Sequence, residues 1–238
     1  MITERRSRIF ATLLLAAATS GGCAWGPREG EMDTTPMHRR FTRTMDIQTG
    51  VILGNLDRAQ AAAAWIAGQD GGEDFPGGTD QYRDAIRDVA ALIAQDQDLQ
   101  SVAVRTGQMA LACGGCHLAT GGGPHFVTGR DPDRGSSTGK QMIRHIWAAD
   151  RMWEGLVGPS DDAWDAGSKV LGEEAESLEK AIQASGSPEE ARAYLAEVRR
   201  LGREGQATSA QEARASIYGR LLATCNGCHR VVGVTGTP

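Results

Sequence analysis

LQSVAVRTGQMALACGGCH, Leu99 to His117, carries one apolar stripe and ends in a five-residue word that the chain uses twice. Leu99, Val102, Thr106, Met109 and Cys113 step by three and four, the spacing that keeps side chains on one face of an α-helix. Near the other end of the chain Ile217, Leu221, Cys225 and Cys228 repeat the pattern and lead into CNGCH, Cys225 to His229. Four of the five cysteines and two of the five histidines therefore lie in two C-x-x-C-H words, each closing a helical run.

On a helix such a word sets two thiols about one turn apart, in reach of both vinyl groups of one porphyrin, with the adjoining imidazole able to ligate the iron. The expectation is two covalently attached c-type haems (iron). Cys113 and Cys116 attach the first, with His117 as proximal ligand, and Cys225, Cys228 and His229 hold the second. Two other uses of C-x-x-C fit less well. Four-cysteine zinc sites usually space their pairs about 15–20 residues apart, whereas Cys116 and Cys225 are 109 apart. A thioredoxin-like dithiol wants a βαβ context, and these surroundings read as helix. No paired carboxylates, nucleophile with a base, or phosphate loop stand out, so an enzyme is not expected.

The rest of the chain is also said twice. MHRRFTRTMDIQTGVILGNLDRA, Met37 to Ala59, aligns with MIRHIWAADRMWEGLVGPSDDAW, Met142 to Trp164, at a constant offset of 105, while the two words are 112 apart. The pattern is an internal duplication with one haem per copy. The second copy has seven more residues between its opening helix and its word. Each copy reads as four helices: Pro36 to Leu53, Asp57 to Gly68, Asp80 to Ala94 and Leu99 to His117, then Lys140 to Val157, Asp161 to Ala184, Pro188 to Glu204 and Ser209 to His229. Asp98 and Ser160 stand at cap positions, and Ser187-Pro188-Glu189-Glu190 reads as a capping box with proline at the first helical position. Leu118 to Gly139 is rich in Gly, Pro, Ser and Asp and reads as a linker, with His125 a solvated loop residue. No stretch alternates with period two, so the class is all-α.

Four antiparallel helices with the haem word at the end of the fourth resemble the cytochrome c prime family, the class II c-type cytochromes. The resemblance covers nearly all of residues 36–231, counted as two copies. It implies two tandem up-down-up-down four-helix bundles, 36–119 and 140–231, joined by a Gly-rich linker, 120–139, with a tail at 232–238. In such a bundle the first turns of helix one lie beside the end of helix four. Candidate distal ligands are therefore Met37 and Met142, which occupy equivalent positions, with His38 and His145 as alternatives; the iron can also remain five-coordinate. The first copy has Arg40 where the second has His145.

The N-terminus reads as an export signal. Arg5, Arg6 and Arg8 precede a ten-residue apolar run, Ile9 to Ala18, too short to span a bilayer. SGGC, Ser20 to Cys23, resembles the lipobox of bacterial lipoproteins, although Ser20 stands where that family has Leu or a similar residue. The reading is a signal peptide at 1–22, lipidation at Cys23 and a flexible tether at 23–35; the alternative is that Cys23 is incidental. The formal charge of −5 becomes −7 without residues 1–22, which argues against nucleic acid and for a basic or neutral redox partner in the cell envelope. The leading expectation is a periplasmic, membrane-anchored di-haem electron-transfer protein. The alternatives are a cytochrome c prime-like protein binding nitric oxide or carbon monoxide, and a fixed haem subunit of a membrane-associated redox complex.

Overall fold

Caps and glycines set the helix ends in this chain. In a computed structural model the described residues are 35–69, 75–126, 129–132, 135, 137–173 and 178–234. Among them the protein is all-α, without strands: α1 Thr35–Leu53, α2 Leu56–Ala67, α3 Asp80–Ile93, α4 Leu99–Thr120, α5 Thr138–Val157, α6 Asp161–Gly172, α7 Glu179–Gln183, α8 Pro188–Gln206 and α9 Gln211–Val232. The side chains of Asn55, Asp98, Ser137 and Ser160 accept bonds from the backbone N–H groups of Arg58, Ser101, Lys140 and Ala163, satisfying donors that the first helical turn leaves unpaired. Gly121 and Gly233, which correspond at the offset of 112, end α4 and α9 in the left-handed region at φ 62° and 78°.

Two features differ from expectation. Pro188 opens α8, but the Ser187 side chain makes no capping bond. The expected helix from Asp161 to Ala184 ends at Gly172, Glu173 is extended, and the short α7 follows. The break packs closely, since a methyl group on Gly202 of α8 would sit 2.4 Å from the Gly172 nitrogen. The signal peptide, Cys23, all of the tether except Thr35, and residues 235–238 lie outside the described residues.

Within each copy the helices pack in a closed ring: α1, α2, α3 and α4 in the first, and α5, α6, α8 and α9 in the second. The copies are not separate bodies, because α4 also packs along α9, α1 meets α9 and α4 meets α5. One core cluster runs through both, from Ile47 and Val51 of α1 to Leu221 and Leu222 of α9. Trp153, Trp164 and Tyr218 are fully buried within it, each contributing on the order of 2–3 kcal/mol of apolar burial. The α4–α9 contact is made at small residues. A methyl on Gly107 would fall 2.2 Å from the Ala215 carbonyl oxygen, and one on Gly219 3.0 Å from that of Ala103. Both residue pairs correspond at 112, so the contact is approximately self-complementary.

The connection between the copies is tied down where it is described. Phe126 stacks at 5.8 Å on Phe41, and Arg144, buried on α5, pairs with Asp131 at 2.6 Å and with Glu173 at 2.7 Å. No helix among the described residues is long and apolar enough to cross a membrane.

Candidate functional site

Both words sit in the last turns of their helices, α4 and α9, so helical geometry alone holds each thiol pair one turn apart with the histidine next to it. Cys116 is buried, Cys113, Cys225 and Cys228 are half-buried, and none of the four is in a disulfide. Burial pushes Cys113 up to about 12, with Cys116 adding to the rise and nearby Arg40 opposing it. Cys225 is likewise pushed up to about 12 by burial and by Cys228. A redox dithiol needs a thiol drawn down toward neutrality, and these move the other way. Among the described residues no three His, Cys, Asp or Glu side chains gather in a group able to hold a metal ion. The thiol pairs stay one to a copy, and the four-cysteine zinc reading has no geometric counterpart.

The imidazoles are held by the backbone. His117 Nδ1 lies 2.5 Å from the Val157 carbonyl oxygen, and His229 Nδ1 lies 3.1 Å from that of Ile52. A carbonyl can only accept, so in both rings Nδ1 carries a proton and donates; in that tautomer of the neutral ring Nε2 is the nitrogen with the lone pair. Ile52 and Val157 stand in the last turns of α1 and α5, where carbonyls lack an intrahelical partner. They are 105 apart, the same position in the two copies. Each imidazole thus bonds the opening helix of the other copy.

A second pair of contacts covers the words. A methyl on Gly115 would lie 2.9 Å from the Tyr82 ring, and one on Gly227 2.4 Å from the Tyr194 ring. Tyr82 and Tyr194, like Gly115 and Gly227, are 112 apart, so a tyrosine from the third helix of each copy lies on the middle of the word.

A different residue of the opening helix lies near the word in each half of the chain. In the first copy Arg40 is buried near Cys113, its guanidinium 4.5 Å from the Phe75 ring centre. Met37 is half-buried and His38 is exposed. In the second copy His145 lies near His229, Arg144 and Arg199; burial first, and then the charges of Arg144 and Arg199, push it down to about 4 and keep it neutral. Burial also lowers His229, against the opposing bond to Ile52. Met142 packs on a small apolar cluster of Leu178, Ile182, Ala191 and Leu195, against which Val231 and Val232 at the end of α9 also pack. His125 is exposed.

The two words and the opening-helix positions stand out in the spacing of the sequence. Tyr82 and Tyr194 do not, although the offset of 112 exposes them once it is carried back from the words into the third helix. Nor do the Ile52 and Val157 carbonyls, which have no side-chain signature, or Phe75 beside Arg40. No protein-family model, curated protein or solved structure matches this chain.

Proposed function

We infer that this chain is a di-haem c-type cytochrome that carries single electrons in the bacterial cell envelope, built as two fused four-helix bundles of the cytochrome c prime type. The observation that carries this reading is the state of the two histidines: each follows a thiol pair, donates through Nδ1 to a helix-end carbonyl, and leaves Nε2 free to ligate. Metal-ligating imidazoles are commonly fixed in this way by a second partner, which sets the tautomer and raises ligand basicity. The donor set fits haem, two thiols and one imidazole at each word. Cys113, Cys116 and His117 would hold one haem, and Cys225, Cys228 and His229 the other.

Bound haem supplies an iron that passes between ferric and ferrous states. The chain excludes water with its shared core, lays a tyrosine on each word and presents a different residue from each opening helix. Met37 and Met142 remain the proposed distal ligands, with His38 and His145 as alternatives. At neutral pH His145 is uncharged and beside His229, which makes it competent at the second site.

Arg40 near Cys113 favours gas binding at the first site as a second reading. A guanidinium does not ligate iron, so Met37 and His38 are the opening-helix donors left to close that position. A reduced-minus-oxidised spectrum with and without carbon monoxide decides between the readings. Pure electron transfer through two six-coordinate irons is expected to leave the spectrum unchanged by the gas; one carbon monoxide bound per two haems shows one open iron, and loss of that gas binding on Arg40→His assigns it to the first site. Export, lipidation at Cys23 and a redox partner in the envelope complete the proposal.

A further inference from the structure

The geometry points to a reciprocal arrangement in which each opening helix positions the proximal histidine of the other copy: α5 orients His117 and α1 orients His229. Neither haem site is complete within its own copy. This rests on the haem reading above and goes beyond it by assigning the Ile52 and Val157 carbonyls as positioning groups.

Three sets of contacts agree. The two Nδ1 bonds run from His117 to Val157 and from His229 to Ile52, each crossing between copies at equivalent positions. The turn that ends each opening helix abuts the other copy's word. A methyl on Gly114 would lie 2.3 Å from the Leu156 carbonyl oxygen and 3.5 Å from Pro159, and a methyl on Gly54 would lie 3.4 Å from the Asn226 side chain. Gly54 and Pro159 correspond at 105, and Gly114 and Asn226 at 112. Finally, α4 and α9 meet at the equivalent glycines Gly107 and Gly219, which fixes the two words against the opposite copy.

The consequence concerns the rings. A carbonyl that accepts from Nδ1 raises the basicity of the ligating nitrogen and favours the ferric state. Disturbing the end of α1, in the first copy, therefore alters the second site.

Gly54→Ala does this without touching a ligand, because Gly54 holds φ 77°, where an alanine is strained and an asparagine is tolerated. Gly158→Ala is the mirror test. Its methyl would meet the Phe126 ring at 2.9 Å, beside the Val157 carbonyl. The measurement is histidine-ring 15N NMR of the full-length reduced protein, with the rings assigned through the backbone signals of His117 and His229, together with a redox titration. Haem content is measured first. A chain without haem fails the functional reading, whereas a two-haem chain isolates the positioning question.

Gly54→Ala is expected to shift or lose the His229 Nδ1–H signal and raise the second-site potential, leaving His117 unchanged; Gly54→Asn restores the parent spectrum. Gly158→Ala is expected to move His117 alone. A response from the ring of the mutated copy, or from neither ring, overturns the inference, as does Gly54→Asn behaving like Gly54→Ala. If Gly54→Ala does not fold, Gly158→Ala decides by the same criterion.

Discussion

At Gly107 and Gly219 two helix backbones come so close that a single methyl group has no room. Gly107→Ala would put Cβ against the Ala215 carbonyl, a backbone atom that cannot rotate away. The expected cost is about 1–3 kcal/mol from overpacking, read as a lower urea midpoint with an unchanged slope. The ligand positions carry a different prediction. Both copies keep a methionine at the equivalent opening position, but only the second adds an imidazole three residues later, where the first has Arg40. Replacing Met142 and His145 singly with alanine should convert the second haem to high spin in only one of the two variants, the one that loses the ligand. Low-spin spectra with unchanged potentials in both would remove Met142 and His145 from the iron.

At the scale of elements, one pair of caps matches between the two halves of the chain and has matching expected costs, whereas Asp98 before α4 is matched by Ala210 before α9, which makes no side-chain cap. Asn55 and Ser160, 105 apart, each accept a bond from the third residue on, and replacing either with alanine should lower stability by about 1 kcal/mol in thermal or urea unfolding. The ends at Asp98 and Ser160 are legible in the sequence because a cap is a local signal, a polar side chain reaching a nearby N–H; Asn55 does not stand out, and Ser187 makes no such bond. The α6 break is not legible. Val170, Leu171, Leu178 and Ile182 are all buried and keep a roughly helical spacing, so periodicity runs straight past Gly172, where α6 ends packed closely on Gly202. The candidate sites divide in the same way. Cys113, Cys116, His117 and their counterparts stand out as words. The partners of the two imidazoles are main-chain carbonyls, which any residue supplies, and only the packing of the two copies selects them.

At the scale of the whole molecule, the main core cluster among the described residues draws on helices from both halves of the chain, and the linker is tied to the protein through Phe126 and Asp131. Cys23 lies outside the described residues. Cys23→Ala is expected to release the protein from the membrane fraction with its haem content intact; retention would mean that a partner or an uncleaved leader holds it. One acyl chain gives only marginal binding, so firm retention of the parent chain itself implies a multiply acylated terminus. The central proposal is that each word carries a covalent haem. Intact mass of the purified chain under denaturing conditions, with a haem-stained gel of the same sample, tests it most directly. The expected result is a mass increment of two porphyrins and a stained band that survives denaturation; a chain of unmodified mass that binds zinc and shows no haem stain would contradict it.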